Sequence, residues 1–118
     1  MMDFSFPKKE RVCGKKSISA LLDKGRWGST ASLRFCCLTP TGEDVNRVMV
    51  SVPKKHFKRA VKRNLLKRRM RESYRTRKAI LATPGHDIML VYTSREIQPF
   101  STISAEVESI LDQINAWK

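Results

Sequence analysis

The chain has 118 residues, 41% of them hydrophobic and 8% aromatic, with a formal net charge of +13 at neutral pH. That length suits one domain burying roughly two thirds of its unfolded surface, which supports a single modest core and little more. No stretch approaches the ~20 apolar residues of a membrane span, and the start, Met1-Met2-Asp3-Phe4-Ser5-Phe6-Pro7, has neither an apolar run nor a small-residue cleavage site, so the sequence reads as cytoplasmic and without a membrane partner.

In chain order, Ser17 caps a short helix whose apolar positions Ile18, Leu21 and Leu22 fall on one side, with Gly25 as its C-terminal stop. Arg26-Trp27-Gly28-Ser29-Thr30 reads as a loop. Leu33 to Thr39 (LRFCCLT) is a strand ended by Pro40-Thr41-Gly42-Glu43-Asp44, whose residue types suit a hairpin turn, and Arg47 to Val52 (RVMVSV) is the returning strand. Pro53 has no amide hydrogen and so ends that strand or confines it to an edge. From about Lys58 to Leu81 neither Gly nor Pro interrupts a run of good helix formers, which predicts a long helix stopped by Pro84-Gly85. Ile88 to Tyr92 is nearly all apolar, as in a buried central strand. Ile103, Val107, Ile110, Leu111 and Ile114 recur at helical spacing in a last helix able to cover a sheet. The order α-β-β-α-β-α predicts an α+β fold in a single domain over residues 1–118.

The cysteines disfavour a disulfide framework: Cys13, Cys36 and Cys37 are odd in number, and the adjacent pair points to opposite faces of a strand. With only His56 and His86, and no C-x-x-C or H-x3-H spacing, no protein-borne metal site is expected.

A nucleic-acid-binding role, RNA or DNA, starts from charge. Between Lys54 and Lys78 stand thirteen Lys or Arg residues and one acid, Glu72, while the remainder is nearly neutral, with eleven bases against ten acids. A charge excess confined to one segment marks a polyanion-binding surface. On a helix, Leu66, Met70, Tyr74 and Leu81 fall within about 80° of one another and form a packing stripe. Asn64, Lys67, Arg68, Arg71 and Arg75 fall within roughly 100° on another side and present donors along one line. Arg chelates phosphate oxygens with a rigid fork. A solvated charged face is the bland reading, but the helix begins with Lys54, Lys55, Lys58, Arg59, Lys62 and Arg63, where the dipole favours acids. Residues that oppose local stability are expected at functional sites. Arg63 is angled toward the apolar side, where it either snorkels past the sheet edge to a ligand or solvates its tip.

No catalytic constellation accompanies this surface. Asp3, Glu10, Asp23 and Asp112 belong to separate elements, Glu43-Asp44 lies in a turn, and His86-Asp87 follows Pro-Gly where a turn role is expected. Glu72 is placed to orient neighbouring arginines.

Val50 to Arg75, VSVPKKHFKRAVKRNLLKRRMRESYR, resembles the signature of the bacterial ribonuclease P protein component. The likeness extends weakly through Arg11 and the 17–25 helix on one side and Asp87-Ile88 and the last helix on the other. It implies the small subunit of a ribonucleoprotein whose RNA, with magnesium ions, removes the 5′ leader of precursor tRNA. The protein would carry no catalytic residue and no cofactor, and would be a monomer when free. The implied fold is a small two-layer α/β sandwich with a left-handed strand–helix–strand crossover, against the usual rule. The conserved helix would face ribonuclease P RNA through Lys54, Lys55, Arg59, Arg63, Asn64, Lys67, Arg68, Arg71 and Arg75. A cleft between that helix and the sheet would take the leader, with Ile18, Leu22 and Cys36 at positions often aromatic in the family. Phe6, Phe35 and Trp27 are the aromatics available to compensate, each equally at home in core or loop packing. The third residue of the family's Arg-Asn-Arg motif is Leu65 here, with Arg68 and Arg69 a turn later as substitutes, and His56-Phe57-Lys58-Arg59 is one residue longer than the family loop. The competing readings are a ribosomal protein and a self-sufficient nuclease.

Overall fold

The most apolar run of the chain takes the centre of the sheet. The computed structural model describes residues 15–42 and 44–117, the Lys15 side chain excepted. Phe6, Arg11, Cys13, Glu43 and the first seven residues lie outside them. The elements are α1 (Lys15–Lys24), β1 (Arg26–Ser29), β2 (Leu33–Leu38), β3 (Arg47–Ser51), α2 (Ala60–Arg77) with a 3-10 turn at Lys78–Ile80, β4 (Asp87–Tyr92) and α3 (Phe100–Ala116). The sheet order is β1-β2-β4-β3, with β3 parallel to β4 and the other pairs antiparallel. None of the described helices is long and apolar enough to cross a membrane.

Two local expectations change. The strands at 33–39 and 47–52 do not pair, because β4 lies between them. β4 is apolar toward both faces and gains a partner on each side, and its parallel pairing with β3 requires the helical crossover that α2 supplies. The presumed hairpin turn instead docks on the corner before β4. There Thr41 N–H donates to Gly85 O (3.0 Å), Gly85 N–H to Val45 O (3.3 Å) and Arg47 N–H to His86 O (2.8 Å). The second change is β1, read above as loop, which pairs along β2 from Arg26↔Cys37 to Ser29↔Arg34. It adds a strand to the expected order. Gly28 permits this pairing, since a Cβ there would collide with the ring of Phe35 opposite.

Strand alternation divides the interior. Leu33, Phe35 and Cys37 join Val48, Ile88, Leu90 and Tyr92 in the main core, which α2 covers with Leu66, Met70 and Tyr74 and α3 with Ile103, Val107, Ile110, Leu111 and Ile114. Cys36 and Met89 face the other way, under Leu21 of α1, with Ile18, Leu38, Met49 and Val91 packed around them. The two neighbouring cysteines thus occupy opposite faces, and both are free thiols. Gly25 stops α1 as predicted, its N–H donating to Leu21 O (2.9 Å). Glu106 of α3 fixes the β1–β2 turn by accepting from the Thr30 hydroxyl (2.5 Å) and the Ser32 N–H (2.7 Å).

Candidate nucleic-acid interface

The loop entering α2 is held by the helix's own side chain. Arg59 is the N-cap and makes no side-chain cap, and the first turn holds no acid. Arg63 Nη1 instead donates to the carbonyls of Phe57 (2.7 Å) and Lys58 (2.8 Å). Phe57 is buried edge-on to Tyr92, with ring centroids 5.8 Å apart, so this clamp joins the loop to the core. Arg63 therefore turns to the loop backbone, which neither reading of its awkward angle anticipated, and this sets it apart from Asn64. At the other end, Asn115 of α3 accepts from Ala82 N–H (3.1 Å) and donates to Ile80 O, closing the turn after α2.

Leu66, Met70, Ser73 and Tyr74 are the buried positions of α2, at the i, i+4, i+7 and i+8 spacing of one helix face. On the outward side, Asn64, Arg68, Arg71, Glu72 and Arg75 line an open depression of about 340 Å³. Asn64, Arg68 and Arg71 are exposed, and Lys67 is half-buried outside this lining. Glu72 accepts from Arg75 Nη2 (2.7 Å) and Nε (3.1 Å). That hydrogen bond is the main cause raising the Arg75 pKa above its ordinary value, and it fixes the direction of the guanidinium. The depression is thus framed by three guanidiniums, one amide and a single carboxylate already engaged with one of them. Such a surface offers forked donors to anionic oxygens.

A second depression, about 350 Å³, lies ahead of the helix between Lys55, His56 and Arg95. Arg95 was not legible as a partner of Lys55, because it stands beside Glu96 in a short polar turn. Only the parallel pairing of β3 with β4 brings the ends of those strands together. Lys54 and Arg59 are exposed in the same approach to α2.

The Ribonuclease P family model matches residues 6–115. The ribonuclease P protein component of Burkholderia mallei is 40% identical over 86 residues, covering 73% of this chain and 60% of that protein. That of Petrotoga mobilis is 38% identical over 88 residues, covering 74% and 71%. The chain belongs to the ribonuclease P protein component family. It spans about 60% of the length of the Burkholderia relative. The fold agrees: the Staphylococcus aureus RNase P protein superposes with a TM-score of 0.77 at 21% identity, over 92% of this chain and 98% of that one.

Family membership sharpens what departs from expectation. Among the described residues, Leu66, Met70 and Tyr74 of α2 pack in one core with Val48, Ile88 and Leu90 of the sheet. Ile18, Leu22 and Cys36, placed by the resemblance in a cleft beside the conserved helix, lie instead around α1 on the opposite face. Cys36 is fully buried, its Sγ donating to Leu21 O at 3.2 Å, and burial raises its pKa against the lowering influence of Arg34. It therefore cannot line an open groove. Ile18 is half-buried and Leu22 exposed. Of the aromatics considered above, Phe35 is buried in the main core, whereas Trp27 is exposed with the Arg34 guanidinium 4.4 Å from its ring centroid. Of the two stand-ins for the motif's missing arginine, Arg69 is committed to Gln98 O (2.5 Å), and Arg68 alone is exposed in the outward line.

Among the described residues the carboxylates are dispersed. Asp87 is buried in a two-bond ion pair with Arg47 (2.8 and 2.6 Å), Glu108 meets Arg77 (3.4 Å), and Glu72 and Glu106 are engaged as described. His86 is buried with its N–H (3.0 Å) and Nδ1 (2.8 Å) both on Asn46 Oδ1. Among the described residues no three His, Cys, Asp or Glu side chains are grouped to hold a metal ion.

Proposed function

We propose that this chain is the protein subunit of ribonuclease P and assists 5′ maturation of tRNA by binding the catalytic RNA along α2 and the 5′ leader of precursor tRNA on the α1 face. The observation that carries the reading is the outward side of α2, where Asn64, Arg68, Arg71 and Arg75 surround an open depression while the packing of the helix is discharged on its other side. Each guanidinium there can grip a phosphate through parallel N–H bonds, and Asn64 can reach a base edge or a sugar-phosphate group. Lys54, Lys55, Arg59 and Lys67 extend the positive field around this line and speed encounter with RNA.

For the leader, the α1 face offers a stacking platform. Trp27 stands opposite Cys36, and Ser29 and Val91 stand opposite Arg34, so the indole and its guanidinium share the face that α1 only partly covers. A base can stack on such an exposed ring while the arginine meets its phosphate, without sequence preference. Hydrolysis and its magnesium ions are assigned to the RNA, and the chain contributes binding and orientation. The purified chain, a monomer when free, is expected to leave precursor tRNA intact. Adding ribonuclease P RNA is expected to restore 5′ cleavage at a magnesium concentration too low for the RNA alone. Failure of that reconstitution, or cleavage by the RNA-free chain, overturns the reading.

A further inference from the structure

A further cavity, with no acid among the described residues that line it, lies at the sheet edge remote from α2. Lys24, Arg26, Cys37, Leu38, Thr39 and Trp117 enclose about 180 Å³ where α1 gives way to β1. The Arg26 guanidinium sits 4.1 Å from the centroid of the Trp117 ring, and that ring stacks on the buried Phe35 at 5.5 Å. A guanidinium held against an aromatic ring is directed in advance and loses little freedom when it binds an anion. Among the described residues neither Lys24 nor Arg26 has a carboxylate partner. The wall adds no negative charge, since burial, with Cys36 and Asp87 nearby, pushes the Cys37 thiol up to about 12. Pockets for whole small molecules run from about 300 to 1,000 Å³, so this smaller space suits one anionic group.

We propose that Lys24 and Arg26, with the Thr39 hydroxyl beside them, form a second phosphate site that takes one phosphodiester of an RNA strand separate from the strand on α2. This rests on the reading of the chain as an RNA-binding subunit. The separation follows from topology: β1 and β3 are the two edges of the sheet and α2 packs on the β3 side, so three strand spacings amount to roughly 14 Å of sheet between the sites. Trp117 is a positioning residue that aims Arg26.

The test is the salt dependence of binding to ribonuclease P RNA, and of precursor tRNA binding to the assembled holoenzyme, for the full chain and its variants. Lys24 and Arg26 are exposed, so Lys24→Ala/Arg26→Ala is expected to fold normally, which its thermal unfolding checks. The double variant is expected to lower the salt slope by about 0.7 to 0.9, one phosphate contact, additively with Arg68→Ala. In the Lys24→Ala background, Arg26→Lys restores part of the slope and Arg26→Gln does not. A change with ribonuclease P RNA alone assigns the phosphodiester to that RNA, and a change only when precursor is added assigns it to the substrate; either supports the site. An unchanged slope in both arms, alongside a lowered slope for Arg68→Ala, overturns the site and leaves the α2 interface standing. Unchanged slopes for every variant overturn both. Loss of protection at the same nucleotides in Arg68→Ala and in the double variant overturns the separate strand.

Discussion

Helices α2 and α3 lie on the same side of the sheet and have nearly equal lengths, 18 and 17 residues, but treat their outward faces in opposite ways. α3 buries six positions, carries three acids and no base, and turns two of those acids to structural use: Glu106 holds the β1–β2 turn and Glu108 meets Arg77. α2 buries four positions and carries eight bases against one acid. Its basic positions repeat at i, i+4, as at Lys67, Arg71 and Arg75, where like charges repel. The acids of α3 do not neutralise that line. One helix is therefore built to stabilise the sheet, and the other depends on the sheet, on Arg63 at its start and on Asn115 at its end to keep a repulsive face in order.

The largest effect is expected where the two helices are alike. Met70→Ala empties a fully buried site between α2 and the sheet and is expected to cost about 2 to 5 kcal/mol by denaturant unfolding, with the salt slope of RNA binding unchanged in the folded fraction. A cost as small as that of an exposed substitution would show that α2 does not rely on this packing. Next, Glu106→Ala leaves the buried Ser32 N–H without its acceptor and should cost about 1 to 3 kcal/mol, while RNA affinity per folded molecule stays the same. A specific loss of RNA binding there would mean that α3 takes part in recognition.

A pH effect should reach both helices together. Burial holds His86 below its ordinary value of 6.5, a backbone hydrogen bond with Thr83 opposing it, and the residue stands at the entrance to β4, on which both helices pack. Because the folded-state pKa is depressed, the unfolded chain binds the extra proton first. Stability from this residue is fully present above about 6.5 and is lost as pH falls from there through the folded-state value. Unfolding followed by far-ultraviolet dichroism at pH 7.5 and 5.5 should show one cooperative transition, shifted to lower denaturant in acid. A His86→Asn variant that kept the whole shift would assign it elsewhere.

Legibility in the sequence follows the range of the forces involved. The α2 stripe and its donor line were readable because both are set by helical period alone, and β4 because an apolar run of that length suits a buried strand. β1 was not, since Arg26-Trp27-Gly28-Ser29 has no apolar alternation and becomes a strand only through pairing with β2 and the approach of the Phe35 ring to Gly28. The false hairpin had correct turn chemistry. What displaced it was insertion of β4, brought from roughly forty residues away by the crossover. At the site, Arg63 and Arg69 were indistinguishable by charge from Arg68. Only the positions of the Phe57, Lys58 and Gln98 carbonyls turn two of these arginines inward and leave the third free to face a ligand. Cys36 could be assigned to a strand from sequence, but not to the floor beneath α1.

The smallest stability effects should separate the two outward faces most clearly. Arg71 of α2 and Asp112 of α3 are both exposed, so replacing either with alanine should shift stability by no more than about 0.5 kcal/mol. Their effects on RNA should part. Arg71→Ala removes one of three guanidiniums around the α2 depression and is expected to lower the salt slope by about 0.7 to 0.9, a loss of one phosphate contact. Asp112→Ala changes the net charge by the same amount in the opposite direction, yet should leave the slope unaltered, because no phosphate is gained where none is bound. If instead the two slopes moved by equal and opposite amounts, RNA binding would be following overall charge, and the arrangement of donors on α2 would have no special part in it.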